Sequence, residues 1–143
     1  LIKENKNSYY SYYIHNSYRG NIGKIVSLLE FTSTNKEQEI ETLSKNLCMH
    51  IAAMKPESLD IDDLDKNLVE REEKIQRELI LSSGKPSNII DKILEGKMKK
   101  FYSEVTLLNQ NFVIDPDKTI QEALNIVNLK DKFILKNYVL VTL

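Results

Sequence analysis

The hydrophobic positions of the chain follow two periods, which separate strand-like from helix-like stretches. The tyrosine-rich residues 9–15 and the apolar, β-branched run 22–31 are typical of two strands that pair as a hairpin across the turn residues 16–21. The second run is almost continuously apolar, which favours a central strand covered on both faces. Residues 132–143 predict another strand, and the polar residues 1–8 predict a frayed end.

Two capping boxes of the form Thr-x-x-Glu each predict the start of a helix. Thr34 and Glu37 open the first helix, and Thr119 and Glu122 open a shorter one over residues 120–127. The first helix carries an apolar stripe at helical spacing, made of Ile40, Leu43, Leu47, Ile51 and Met54.

Two strongly charged stretches between these helices predict an antiparallel helical hairpin. The first spans residues 62–82, and the link "SSGKP" then places Gly84 at the C′ position of one helix and Pro86 at the N1 position of the next. The stripe expected on the first helix consists of Ile61, Leu64, Leu68, Ile75 and Leu79. Because the stripes are narrow and the outer faces are charged, we expect a thin coiled-coil arm that projects into water.

Gly96 lies in the middle of the second hairpin helix, where a glycine weakens the helix by about 1 kcal/mol relative to alanine. Around the helix axis it lies beside Ile89 and Ile93, so a missing side chain there would permit close approach of the partner helix. The apolar positions after it are rotated by about a quarter turn, which predicts a change of packing partner towards the globular body. These positions are Met98, Phe101, Tyr102, Val105 and Leu108. The alternative is a tolerated glycine without a role.

Together these elements predict an α+β fold, a small antiparallel sheet with packed helices and a projecting antiparallel helical hairpin. The expected boundaries are 1–61 for the first part of the core, 62–108 for the hairpin arm that returns to the core, and 109–143 for the last part of the core. Gly84, Pro86, Gly96 and Phe101 are the expected structural positions.

Composition narrows the possible partners. The chain has 143 residues, 41% hydrophobic and 29% charged, which fits one folded domain, and its longest apolar run is too short for a membrane span. The net charge of −1 gives no reason to expect direct nucleic-acid binding, so Lys97, Lys99 and Lys100 are interpreted as a solvated helix face. Cys48 is the single cysteine, which excludes an internal disulfide and favours a reducing compartment.

Candidate catalytic and metal-binding motifs do not survive inspection. Cys48 and His50 have no second pair of ligands, and packing at the border of the helical stripe is their expected role. "GNIGK" has the wrong spacing for a phosphate loop, and "DPDKT" lacks the glycine and glutamate of a calcium loop. We therefore expect no catalytic residue, no metal and no cofactor. The residues alone predict a non-enzymatic interaction module, in which His15 is the better functional candidate.

Several strings together are similar to the elongation factor Ts family. They are "YIH" followed by "IGKIV", "LCMHIAAMKPESL" at 47–59 and "SGKPSNIIDKILEGKMKKFYSEVTLLNQNFVIDPDKT" at 83–119. The match runs in order over nearly the whole chain and resembles the C-terminal half of the family's core, including its inserted helical arm. The loop "HNSYRGNIG" is a few residues longer than the family's usual form.

The resemblance implies a guanine nucleotide exchange factor that binds elongation factor Tu and promotes GDP release without covalent chemistry. It implies partner contacts around His15, Arg19, Ile22 and Gly23, and self-association as a further possibility. The family's "TDFV" segment, which wedges into the GTPase near its magnesium site, has no counterpart in these residues, and both ends of the chain look cut.

Two other function classes stay open, a structural or dimerisation module without exchange activity and a ribosome- or RNA-associated domain that uses the lysine cluster. Richness in Asn, Lys, Ile and Tyr suggests an AT-rich gene, so we expect the protein in a mitochondrion, with a plastid or the bacterial cytoplasm as alternatives.

Overall fold

The structure is a computed structural model that describes the backbone of residues 2–4, 8–19, 22–34, 37–128 and 132–142. The fold is α+β, as the sequence predicts. Contacts divide the chain into two compact units, one made of Leu1–Lys55 with Asn111–Leu143 and the other of Pro56–Gln110. The expected boundaries at residues 61 and 108 stay predictions, as do the projection and the coiled-coil geometry of the arm.

The first unit contains a four-stranded antiparallel sheet in the order β1-β2-β3-β6. Its strands are β1 (Ile2–Glu4), β2 (Ser8–Arg19), β3 (Ile22–Ser33) and β6 (Phe133–Thr142). The β2–β3 hairpin and the last strand are confirmed, with Tyr9 opposite Phe31 and His15 opposite Ile25. The prediction of a frayed end at residues 1–8 is wrong, because β1 pairs with β2. Strand β2 continues to Arg19, so the first four of the expected turn residues 16–21 belong to the strand. Residues 20–21 lie outside the described part.

One face of this sheet packs against helix α1 (Glu37–Met54). Leu29 and Phe31 are fully buried there, and the Phe31 ring stacks between Tyr9 and Phe133 at centroid distances of 5.7 and 4.6 Å. The predicted α1 stripe is confirmed at Ile40, Leu47 and Ile51, which are buried, whereas Met54 is exposed.

At the described residues the opposite face of the sheet is exposed, so the expected full cover on both faces of β3 is wrong. Tyr12, Val139 and Val141 lie on this face with 46%, 49% and 48% of their surface exposed. An apolar strand pattern shows which side chains favour burial, but it does not say what covers them.

The capping boxes have different outcomes. Thr119 and Glu122 are confirmed, because the Thr119 N–H donates to Glu122 Oε2 at 2.8 Å and the Glu122 N–H donates to Thr119 Oγ1 at 3.2 Å. They open α4 (Ile120–Asn128), after the small hairpin of β4 (Asn111–Phe112) and β5 (Asp115–Thr119). Thr34 Oγ1 accepts the Lys132 N–H at 3.1 Å, and the Glu37 side chain lies outside the described part.

The second unit is a helical hairpin built from α2 (Lys66–Ser82) and α3 (Ile90–Val105). Asp65 caps α2 by accepting the Asn67 N–H at 2.9 Å, and Gly84 takes the expected left-handed conformation with φ +69°. Pro86 is not at N1, because a 3₁₀ turn, Ser87–Ile89, precedes α3. No helix in the described part of the chain has the length and apolar character needed to cross a membrane.

The second hairpin helix ends at Val105, before the end of the predicted arm at residue 108. Thr106 is extended, and the N–H groups of Leu107 and Leu108 donate to the carbonyls of Ser58 and Leu59 at 2.9 and 3.1 Å. These bonds to an upstream segment replace further helical turns, which periodicity within α3 cannot reveal.

The face of α2 that packs on α3 is shifted by one residue from the predicted stripe. The core cluster contains Ile80, Ile90, Leu94 and Met98, with Val69, Ile93, Phe101 and Tyr102 packed against it. Ile75 and Leu79 are 41% and 54% exposed. Gln76 lies on the packed face, donating from Nε2 to Glu72 Oε1 at 2.7 Å, and a polar residue there hides the true stripe from a hydrophobicity count.

The expected packing role of Gly96 is wrong. No atom outside its own helix lies within 4 Å of a Cβ built at Gly96, and the residue is exposed. Phe101 and Tyr102 contact the same cluster as Leu94 and Met98, so the apolar stripe of α3 continues along the hairpin without changing partner.

We expect Gly96→Ala to raise the free energy of unfolding by about 1 kcal/mol, because alanine removes backbone entropy from the unfolded chain and its Cβ meets no atom outside the helix. Urea denaturation followed by circular dichroism measures the change. Gly84→Ala is the matched control and should destabilise, since its φ of +69° disfavours a side chain. A loss of stability in Gly96→Ala would contradict the open surroundings of this glycine.

Candidate functional site

A groove of about 420 Å³ opens on the first unit, where strand β2 and the last turns of α1 line it. We call it the His15 groove. Apolar side chains from β3, from α1 and from the turn after Phe112 supply most of its lining, together with one histidine, one tyrosine and one lysine. The lining residues are Tyr13, His15, Ile25, Met49, Ala52, Ala53, Lys55 and Val113.

His15 and Tyr13 lie on the same face of β2, two residues apart. The Tyr13 hydroxyl is 3.1 Å from His15 Nδ1, and the two rings are 6.1 Å apart between centroids. His15 is exposed, so its other ring nitrogen is available to a partner that enters the groove. Tyr13 thus orients the imidazole at the groove.

Lys55 borders the groove in a left-handed backbone conformation, with φ +47°. Its N–H donates to the Ile51 carbonyl at 2.9 Å, which closes the end of α1. Glycine usually occupies such a position, because a Cβ atom makes the left-handed conformation unfavourable, and asparagine is the most common exception. A strained lysine whose side chain is exposed at a groove is a candidate contact residue. The sequence predicts that the helix ends before Pro56, but it carries no signal for this conformation.

His50 holds one wall of the groove in place from below. It is fully buried, and its Nδ1 accepts the Val113 N–H at 3.3 Å. Its ring packs against the Phe112 ring in a T-shaped arrangement with 5.9 Å between the centroids. The bond joins α1 to the turn that carries Val113 into the groove. Burial of His50 is deeper than the stripe-border position that the sequence suggests.

Cys48 fastens the same helix to two strands. Its Sγ donates to the Ser11 carbonyl at 3.4 Å, and Ser27 Oγ donates to the Cys48 carbonyl at 2.7 Å. Burial raises the pKa of the Cys48 thiol to about 11. The thiol is therefore protonated at neutral pH and is a packing group. Among the described residues no three His, Cys, Asp or Glu side chains form a cluster that could hold a metal ion.

Gly23 shapes the strand that carries His15. A Cβ at Gly23 would lie 2.3 Å from Ile14 Cγ2 and 2.7 Å from the His15 carbonyl oxygen, so only glycine fits there without a shift of β2. Gly23 is buried, which leaves it no side-chain surface to offer a partner. Arg19 and Ile22 face each other at the end of the hairpin, and their side chains lie outside the described part.

The structure brings His15 together with Lys55 and Met49, which sequence reasoning did not single out. An apolar lining with a few hydrogen-bonding groups is the chemistry of a docking surface, where apolar contact gives affinity and polar groups fix orientation.

Comparison with known proteins identifies the family of this chain. A family model described as elongation factor TS matches residues 1–141. The chain belongs to the elongation factor Ts family. It is 44% identical over 113 residues to elongation factor Ts of Rickettsia akari (strain Hartford), which covers 78% of this chain and 37% of the relative. It is 40% identical over 124 residues to elongation factor Ts of Rickettsia prowazekii (strain Madrid E), covering 86% and 40%.

These relatives are bacterial, and the chain spans 37–40% of the length of the two relatives. The resemblance that the sequence motifs indicate is therefore confirmed at the level of the elongation factor Ts family. Membership places the chain among translation elongation factors.

We expect the stability of the protein to fall between pH 9 and pH 11, because the unfolded thiol of Cys48 ionises near 9.0 while the folded one stays protonated to about 11. In this window the native state binds more protons than the unfolded state, so the thiol's contribution is complete below the window and lost through it. The loss is about 3 kcal/mol at most, since each pKa unit corresponds to about 1.4 kcal/mol.

Urea denaturation at about pH 8 and about pH 10 measures this loss, with Cys48→Ser as the control because serine does not titrate. The difference between wild type and variant removes the contribution of all other ionisable groups. An equal fall in both proteins would show that the Cys48 thiol does not carry the effect.

Proposed function

We propose that residues 1–143 form a docking part of an elongation factor Ts that binds elongation factor Tu and, within the longer factor, promotes release of GDP. The observation that carries the proposal is the His15 groove, an apolar concavity with oriented polar groups, in a chain of the elongation factor Ts family. The role is mechanical, since binding energy alone displaces the nucleotide and no covalent step is involved.

In this proposal His15 and Lys55 supply directed hydrogen bonds, while Met49 and Val113 supply apolar contact. The Tyr13 hydroxyl beside His15 Nδ1 already orients the imidazole in the free protein, so binding costs less conformational entropy. The strained Lys55 backbone is consistent with a contact role, because strain of this kind persists where function requires the side chain. Arg19 and Ile22, at the end of the same hairpin, are further proposed contacts.

Exchange itself requires an element that reaches the nucleotide and magnesium site. The resemblance gives that role to a "TDFV" segment, which residues 1–143 do not contain. We therefore infer that this part contributes binding energy and that its own acceleration of GDP release is small.

We expect residues 1–143 to bind cognate elongation factor Tu weakly, to accelerate release of a fluorescent GDP analogue little, and to compete with the full-length factor when in excess. Stopped-flow fluorescence measures release, and calorimetry measures binding. His15→Ala should weaken binding roughly tenfold, as loss of an oriented contact does at an interface. Acceleration equal to that of the full-length factor would contradict the docking role.

Lys55→Gly separates binding from folding. It should stabilise the chain by about 1 kcal/mol, since glycine accepts the left-handed conformation, and yet weaken binding because the amine is gone. Lys45→Ala, on an exposed position of the same helix, is the matched control and should leave binding unchanged. Unaltered binding by Lys55→Gly would remove Lys55 from the proposed site.

A second candidate function, self-association, is favoured by the open sheet face that carries Tyr12, Val139 and Val141. Exposed apolar patches of this kind often mark interfaces. We expect sedimentation velocity to show a dimer that Val139→Lys dissociates, because a charge would be buried against the second copy. Ser103→Lys adds the same charge on α3 and should have no effect. A wild-type chain that stays monomeric at all concentrations would reject this candidate.

The compartment is proposed from the amino-acid composition, which suggests an AT-rich gene. A mitochondrion is proposed from the AT-rich character of the sequence, and a plastid or the bacterial cytoplasm are the alternatives, since the relatives named above are bacterial.

A further inference from the structure

Gly96 is a glycine without a packing reason. Leu94, Met98 and Phe101 of the apolar stripe of α3 lie on the far side of the helix from Gly96, taking 100° per residue. Ile93, about 60° from Gly96 around the axis, marks the border between the packed side and the exposed side. No atom outside the helix lies within 4 Å of a Cβ built at Gly96. A helix-weakening residue at the centre of a solvent face is useful if another molecule must approach the bare backbone there.

The polar side chains around Gly96 are basic or small. Lys92, Lys99, Lys100 and Ser103 all lie within about 60° of Gly96 around the helix axis, and we call these five residues the Gly96 face. All five are exposed. The stripe from Lys92 to Lys99 extends about 10 Å along the axis, with Gly96 between them.

Carboxylates are kept to the sides of this face. Glu104 lies about 80° and Glu95 about 100° from Gly96 around the axis. Glu104 pairs with Lys100 at 3.7 Å, and Asp91 is drawn to Arg77 of α2 at 3.1 Å. In the described ranges no carboxylate lies within ion-pair distance of Lys92 or Lys99. These two ammonium groups are therefore available to an external anion.

We propose that the Gly96 face binds the phosphodiester backbone of RNA. Lysines act as point charges that suit phosphate oxygens without reading base sequence. Ser103 adds no donor, because its hydroxyl donates to the Lys100 carbonyl at 2.7 Å, but its small side chain leaves the helix surface accessible. Gly96 lets a phosphate reach the helix surface between the lysines. An acidic protein surface fits less well, because the face holds no arginine, tyrosine or tryptophan, the residues that anchor protein interfaces.

The net charge of −1 gives no reason to expect a nucleic-acid partner, but the charges are distributed unevenly along the chain. Segment 85–100 carries five lysines against two carboxylates, Asp91 and Glu95, whereas most carboxylates of the second unit precede it in the sequence. Three lysines that each neutralise one phosphate give a slope of log affinity against log salt of about −2 on a single strand. The contact is therefore weak by itself and accessory to the docking site in the first unit.

The test is fluorescence anisotropy of a labelled oligouridine of about 12 nucleotides, titrated with the chain alone over a range of salt concentrations. Binding at low salt with a slope of about −2 is expected. Lys92→Gln combined with Lys99→Gln should make the slope shallower by about 1.4, the contribution of two phosphates. Lys66→Gln with Lys74→Gln removes the same charge from α2 and is the matched control.

Gly96→Leu separates a built site from diffuse charge attraction. It keeps every charge and favours the helix, so circular dichroism should show a folded protein, yet it covers the bare backbone and should weaken RNA binding at least about threefold. Equal binding by Gly96→Leu, or equal losses in the two lysine double variants, would overturn the proposal.

Binding of a labelled polyglutamate peptide in place of the oligouridine would also overturn it, and would assign the face to an acidic protein. Elongation factor Tu is absent from these measurements, so their failure leaves the docking proposal for the His15 groove untouched.

Discussion

The burial of α1 against β2 and β3 is the interaction on which the first unit depends. Leu47 and Ile51 are fully buried in it, and each such side chain contributes about 1.5–3 kcal/mol when removed from water. The bonds of Cys48 with Ser11 and Ser27 fasten the helix to both strands, since unpaired polar groups in this position would be costly. This one packing surface fixes the distance between the helix end and β2, and hence the width of the His15 groove.

The two units hold their elements together in different ways. Helix α1 lies on a broad sheet and is buried over much of its circumference, with Ser44 and His50 inside as well as aliphatic residues. The α2–α3 hairpin has a narrow contact in which Gln76 takes a place among aliphatic side chains, and its Oε1 is buried without a hydrogen-bond partner in the described chain. A buried polar atom without a partner weakens the packing between α2 and α3. The hairpin is therefore the less tightly specified of the two units.

Periodicity predicted the elements well because strands and helices present their apolar residues at spacings that a sequence displays directly. It failed where the decisive contact lies elsewhere in the chain or outside it. The stripe of α2 was misplaced by one residue because Gln76 counts as polar, and the end of α3 depends on Ser58 and Leu59. At the candidate site, the position of His15 at the end of a strand indicated this residue. The resemblance to the family indicated Gly23, but it did not show that a Cβ there would collide with Ile14 and the His15 carbonyl. Lys55 was missed because a positive φ at lysine has no sequence signal.

The closed base of the second unit has a consequence for how the chain folds. Glu57 donates its N–H to the Val105 carbonyl at 2.8 Å, and Ser58 bridges Thr106, so residues 56–110 form a self-contained excursion whose two ends meet. Strand β6 must find β3 across this excursion. Once the hairpin has formed, the loop that remains to be closed is shorter by the length of the excursion, and the entropy of closure falls accordingly. A local structure formed early thereby shortens the search for the most distant pairing in the sheet, and its length can vary between relatives without lengthening that search.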